Sequence, residues 1–189
     1  MMIDASTPVS QVDKDLAGEI SRLFKPVVLV VNKWDLAAGK TTGEAFADYF
    51  AKTLPEFSYA PVSLTAATEG LNVRRTIDLA EQLFVQANVR VPTAELNRVI
   101  ETIVQVRGPS HKTGTKPPKI LYASQISTAP PTIMCFVNDV RSFDTSYQRF
   151  MLNHIREHLP FAEVPIRLFF RQRRPPLGRQ APQKKQKGE

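Results

Sequence analysis

Cysteine is nearly absent. Cys135 is alone among 189 residues, which excludes an intramolecular disulfide or a cysteine-built zinc site and suits a reducing compartment. No apolar run approaches the ~18–20 residues of a membrane-spanning helix, and no charged-then-apolar leader opens the chain. A transmembrane or secreted protein is therefore not expected. Also missing is Gly-x-x-x-x-Gly-Lys-[Ser/Thr], the loop that cradles nucleotide phosphates. Gly39-Lys40-Thr41 imitates its end, but Trp34 stands where the first glycine belongs. That segment is expected to be a loop leading into a helix.

The composition, 42% hydrophobic and 23% charged, is that of a globular chain. Its net charge of +7 is unevenly placed. Residues 1–89 carry 8 Lys and Arg against 11 Asp and Glu, residues 90–170 carry 10 against 6, and residues 171–189 carry 7 against 1. An acidic front, a mildly basic back and a strongly basic end point to a polyanion near the C-terminus, most simply RNA.

The front half alternates apolar runs with helical periodicity, the pattern of α/β units. Met1–Asp4 reads as the end of a strand, and Leu16, Ile20, Leu23 and Phe24 lie at helical spacing. Val27–Val31, five apolar residues with four valines, reads as a parallel strand buried on both faces. A helix is expected over Gly43–Leu54, a strand over Tyr59–Leu64, and a helix over Asn72–Gln86 with Val73, Ile77, Ala80 and Phe84 on its inward stripe. Pro92 marks a joint. Beyond it, Thr93 reads as the cap of a helix carrying Leu96, Val99, Ile100 and Ile103. Strands are expected at Ile120–Ile126 and Ile133–Val137, an amphipathic helix at Asp144–Leu159, and a closing strand at Pro165–Phe170. Cys135 is expected in the core. After Arg171 the composition cannot build a core, and residues 174–189 are expected to form a disordered basic tail.

The sharpest motif is Asn32-Lys33-Trp34-Asp35, directly after the buried strand, where open α/β sheets bind ligands. The Asp35 carboxylate can accept from the N1–H and N2–H₂ edge of guanine, an edge adenine does not offer. Asn32 can donate towards a base or tie neighbouring loops, and the aliphatic stem of Lys33 can lie across the ring. The small-residue segment Thr65–Gly70 follows the next strand and allows a backbone N–H from Thr65-Ala66 to approach guanine O6.

These residues resemble a known family. Val30–Leu36 with Ile3–Ala5, Gln11–Asp13 and Thr65–Gly70 resembles the second GTPase domain of the bacterial double-Era-like GTPases (Der, or EngA). Thr93–Arg98, Pro117–Gln125, Pro130–Thr132, Phe136–Asn138, Ser146-Tyr147 and Pro165–Arg171 resemble that family's C-terminal KH-like domain. The resemblance implies the C-terminal half of a Ras-like P-loop GTPase domain over 1–90, a parallel sheet lacking its P-loop. A KH-like α+β domain over 91–173 and the tail over 174–189 would follow. It implies guanine binding by Asn32, Lys33, Asp35, Thr65 and Ala66, with GTP as the ligand and magnesium only in the intact protein. The implied protein is a cytoplasmic monomer that assists assembly of the large ribosomal subunit. Its implied partners are rRNA and the N-terminal GTPase domains.

No catalytic or metal-binding residue is expected in the chain itself, and no GTP hydrolysis. The first strand is then expected at a sheet edge, with the front half opening before the back. Arg171, Arg173, Arg174, Arg179, Lys184, Lys185 and Lys187 are candidates for rRNA phosphate contacts. The back half carries no Gly-x-x-Gly, the loop by which ordinary KH domains clamp single-stranded RNA, so a non-catalytic RNA- or ribosome-binding module is the alternative reading. His154-Ile155-Arg156-Glu157-His158 has the spacing of an inverzincin zinc site. It lacks a well-placed third ligand, and its histidines are expected to face solvent.

Overall fold

A computed structural model describes residues 1–110 and 117–173; the expected tail at 174–189 lies outside them. The chain forms a mixed α/β structure around two three-stranded sheets. The first is wholly parallel, in the order β1 (Met2–Asp4), β2 (Leu29–Asn32), β3 (Val62–Leu64). Parallel neighbours need crossovers. Helix α1 (Gln11–Arg22) supplies one, and the short α2 (Trp34–Ala37) with α3 (Gly43–Thr53) supplies the other. Ser10 caps α1 in a reciprocal capping box with Asp13, and Thr42 caps α3.

Strand β2 is buried on both faces, as its apolar run requires. Val27, Leu29 and Val31 pack with Ile3, Ala17, Phe50, Leu54 and Phe57. Val28 and Val30 point the other way, into a cluster that continues through Leu83, Ala87 and Val91 to the back-half core. The expected strand at Tyr59–Leu64 is shorter: Pro55–Phe57 form a 3₁₀ turn, and pairing begins at Val62.

Helix α4 (Val73–Asn88) corrects the expected stripe. Leu83 and Ala87 are buried, whereas Ile77 is 50% and Phe84 70% exposed. The helix carries two apolar stripes about one residue apart, and only the one through Leu79, Leu83 and Ala87 meets the sheet. A similar offset affects α1, where Ala17 is buried and Leu16 is exposed.

The second sheet has the order β4 (Ile120–Ser127), β5 (Thr132–Val137), β6 (Arg167–Gln172). Its first pair is antiparallel and its second parallel. Helices α5 (Thr93–Val106) and α6 (Thr145–His158) cover one face through Leu96, Ile100, Ile103, Tyr147, Met151 and Ile155. Thr93 is the first helical residue, with Pro92 in the cap position and no side-chain cap. The fixed backbone angle of proline supplies the entry that Thr93 was expected to make. Asp144 caps α6 by accepting from the Tyr147 amide. Cys135 is fully buried, and burial pushes its thiol up to about 12.

Candidate functional site

The C-terminal ends of β1, β2 and β3 meet one another at the top of the parallel sheet. Chain direction reverses at Lys33, which adopts a left-handed φ of 58° before the single turn of α2. Three contacts then tie the two loops together. The Asn32 carboxamide oxygen accepts from the Ala67 amide at 3.1 Å and the Thr65 hydroxyl at 3.3 Å, and the Trp34 amide donates to the Thr65 carbonyl at 2.9 Å. Asn72 closes the second loop by donating from Nδ2 to the Leu64 carbonyl at 2.8 Å. Of the two roles open to Asn32 in the sequence, tying loops is the one its side-chain oxygen performs.

Thr65 and Ala66 are buried in this junction. The Thr65 amide is committed to Val31 at 2.8 Å, while the Ala66 amide reaches Leu71 only at 3.4 Å. Of the two, Ala66 has the more available N–H. Asp35 lies exposed in the first turn of α2. The Trp34 ring instead turns inward and packs edge-on against Phe46 at 5.4 Å. Beside the turn is a cleft of about 400 Å³ lined by Ala5, Ser6, Leu36, Ala37, Lys40 and Thr41.

Sequence reasoning missed the partner of Lys33. Its Nζ lies 2.6 Å from Asp4 Oδ2, across from the end of the neighbouring strand. Asp4 also accepts from the Ser6 amide and hydroxyl. A carboxylate closing the adjacent parallel strand was the available signal. The Lys33 and Ser6 hydrogen bonds hold the Asp4 carboxyl down at about 2, and Asp4 raises the Lys33 ammonium. Because Asp4 is depressed in the folded state, its contribution is complete above the ordinary aspartate range and is lost as pH falls through about 2. Lys33→Met should raise the Asp4 midpoint, read by NMR titration of its carboxyl carbon. An unmoved midpoint would assign the depression to Ser6 alone.

Other candidates lie elsewhere. Arg171 is the next-to-last residue of β6, and the Arg173 amide donates to the Val137 carbonyl. Arg174, Arg179, Lys184, Lys185 and Lys187 lie outside the described residues. Gly39, with a φ of 85°, turns the chain between α2 and α3, so Gly39–Thr41 is the expected loop into a helix. An Asp-x-x-Gly spacing at Asp15–Gly18 lies inside α1, where Asp15 accepts from Gln11. It is a helical surface pair and does not have the loop setting of a magnesium motif. His154 and His158 engage carbonyls of their own helix through Nδ1, and Glu163 accepts from Gln86. Among the described residues, no group of three or more His, Cys, Asp or Glu side chains is placed to hold a metal.

Comparison with known proteins agrees with this architecture. Residues 90–171 match the family described as the KH-domain-like domain of EngA bacterial GTPase enzymes, C-terminal. The chain is 39% identical over 173 residues to GTPase Der of Rhodopirellula baltica, a match covering 92% of this chain and 38% of that protein. It is 38% identical over 174 residues to GTPase Der of Halothermothrix orenii, covering 92% and 40% respectively. GTPase Der of Desulfitobacterium hafniense is 36% identical over 174 residues, covering 92% and 39%. The chain thus spans about two fifths of the length of these relatives.

Proposed function

The chain corresponds to the C-terminal part of the Der (EngA) GTPases, and from that premise we propose that its front half recognises the guanine base of GTP. The observation that carries the reading is the Asn32 carboxamide, which locks the Thr65–Ala67 loop beside the Lys33-Asp35 turn. That junction fixes the spacing between an exposed carboxylate and a backbone donor. In this reading Asp35 accepts from guanine N1–H and N2–H₂, Ala66 donates to O6, Thr65 sets the loop, and the Lys33 stem covers the ring. No catalytic residue is assigned to the chain. Phosphate and magnesium contacts are assigned to the N-terminal GTPase portion of an intact protein. Residues 1–90 form part of the GTPase domain, 91–173 the KH-like domain and 174–189 the tail. The intact protein acts in the cytoplasm as a monomer on the large ribosomal subunit and its rRNA.

In such an intact protein, Asp35→Asn should weaken GTP by roughly 10–100-fold, the loss of charge-assisted bonds at ~1.5–3 kcal/mol. It should at the same time improve xanthosine triphosphate, whose added carbonyl can accept from the new amide. An unchanged preference between the two nucleotides would remove Asp35 from the role.

A second reading, an RNA- or ribosome-binding module that needs no nucleotide, is favoured by the placement of Arg171 and Arg173 beside the exposed Tyr122 ring and the half-buried Phe136 ring. Binding of the chain to large subunits with and without GTP separates the two readings.

A further inference from the structure

Helices α5 and α6 cover one face of the second sheet, and the opposite face carries a row of three side chains in register. Tyr122 of β4 pairs with Phe136 of β5, and Phe136 pairs with Arg171 of β6. The Tyr122 and Phe136 rings are stacked, 4.3 Å between centroids and 15° between planes. Tyr122 remains 40% exposed. With Gln172 and Arg173 these residues line an open groove of about 720 Å³. In the adjacent row Met134 pairs with Phe169, which is 48% exposed.

A stacked pair beside two arginines, the exposed Tyr122 ring on the half-buried Phe136 ring, is an unusual use of surface. The aromatic area left open beyond that stack loses apolar burial, and two nearby cations attract an anion that the described residues do not supply. Unpaired nucleotides satisfy both demands, because a base presents a flat π-face and its phosphates present charge. Charge complementarity reinforces the choice, since residues 174–189 add five Lys or Arg against one Glu. A duplex fits poorly, because its bases are already stacked on one another.

We propose that Tyr122 and Phe136 form a stacking platform for an unpaired base of single-stranded RNA, with Arg171 and Arg173 holding the flanking phosphates. The platform rests on the RNA-binding reading above and gives it a chemical class. It also supplies a contact surface in a domain whose sequence has no Gly-x-x-Gly clamp.

The test uses the full 189-residue chain and a single-stranded hexaribonucleotide carrying one 2-aminopurine. Binding should change the 2-aminopurine emission, and an abasic hexamer should bind about tenfold more weakly, the worth of one stacked base. Tyr122→Ala should weaken the intact hexamer by a similar factor while leaving the salt slope unchanged. Phe136→Leu, which keeps apolar volume in the sheet, should do the same without altering the melting temperature. Arg171→Gln with Arg173→Gln should reduce the slope of log K against log salt by about 1.4, two phosphate contacts on a single strand. Equal affinity for the hexamer and its abasic form would overturn the platform while leaving RNA binding intact. Duplex RNA competing as well as the single strand would do likewise. No binding to any RNA would overturn both the platform and the reading beneath it.

Discussion

Calorimetry of the 189-residue chain with GTP should show no affinity tighter than roughly millimolar, and no phosphate should be released on prolonged incubation. The expectation follows from what the site can offer. Asp35 can accept from two guanine donors, and Ala66 can donate once; charge-assisted bonds of this kind contribute ~1.5–3 kcal/mol each. Association costs an estimated 4–15 kcal/mol before any net affinity appears. Nucleotide sites cover that cost with phosphate contacts from backbone amides at a helix N-terminus and from a lysine. Lys33 is already engaged with Asp4, and Lys40 follows a turn that no strand leads into. Base contacts alone therefore leave affinity about a thousandfold short of micromolar, a gap of about 4.1 kcal/mol. Micromolar binding would mean that the chain holds a phosphate site of its own.

Much of this arrangement was legible in the residues because the relevant signals are local. Val27–Val31 has no polar position, so only a strand covered on both faces accommodates it. Asn32–Asp35 could be placed at a ligand-binding edge because it follows that strand directly. What escaped the sequence depends on distant partners. Asp4 and Lys33 are 29 positions apart and meet only through strand pairing. The two stripes of α4 are equally apolar on paper, and the sheet beside it decides in favour of Leu83 over Phe84. The ends of β3 and β6 shifted because a proline turn at Pro55–Phe57 and the pairing of Arg167 with Thr132 set where hydrogen bonding begins. The stacked pair Tyr122–Phe136 needed β4 and β5 in register before two ordinary strand aromatics became neighbours.

Arg156→Ala should be among the most damaging single substitutions, lowering stability by about 3 kcal/mol and the melting temperature by about 6–12 °C. Arg156 projects from α6, and its Nη1 donates to the carbonyls of Phe161, Ala162 and Val164, fastening the loop between α6 and β6. Its guanidinium also lies 4.0 Å over the Tyr59 ring, just ahead of β3 in the front half. Burial lowers its pKa, and the carbonyls and the Tyr59 ring hold the partly buried guanidinium. Truncation would strand those carbonyls and open a gap between the halves, both recognised sources of large losses. The same joint contains the Gln86–Glu163 pair and the Val28–Leu83 part of the shared core. The damage should therefore spread into the front half. Hydrogen exchange should quicken at Val62–Leu64 in Arg156→Ala, while Ile133–Val137 stays protected. Arg156→Lys keeps the charge but loses the planar fork, and should lie between the two. In a double-mutant cycle, Tyr59→Ala and Arg156→Ala should couple by about 0.5–2 kcal/mol, the range for a cation over an aromatic ring. Additive losses, with exchange at Val62–Leu64 unchanged, would show that Arg156 serves only its own loop and that Tyr59 transmits nothing across the joint.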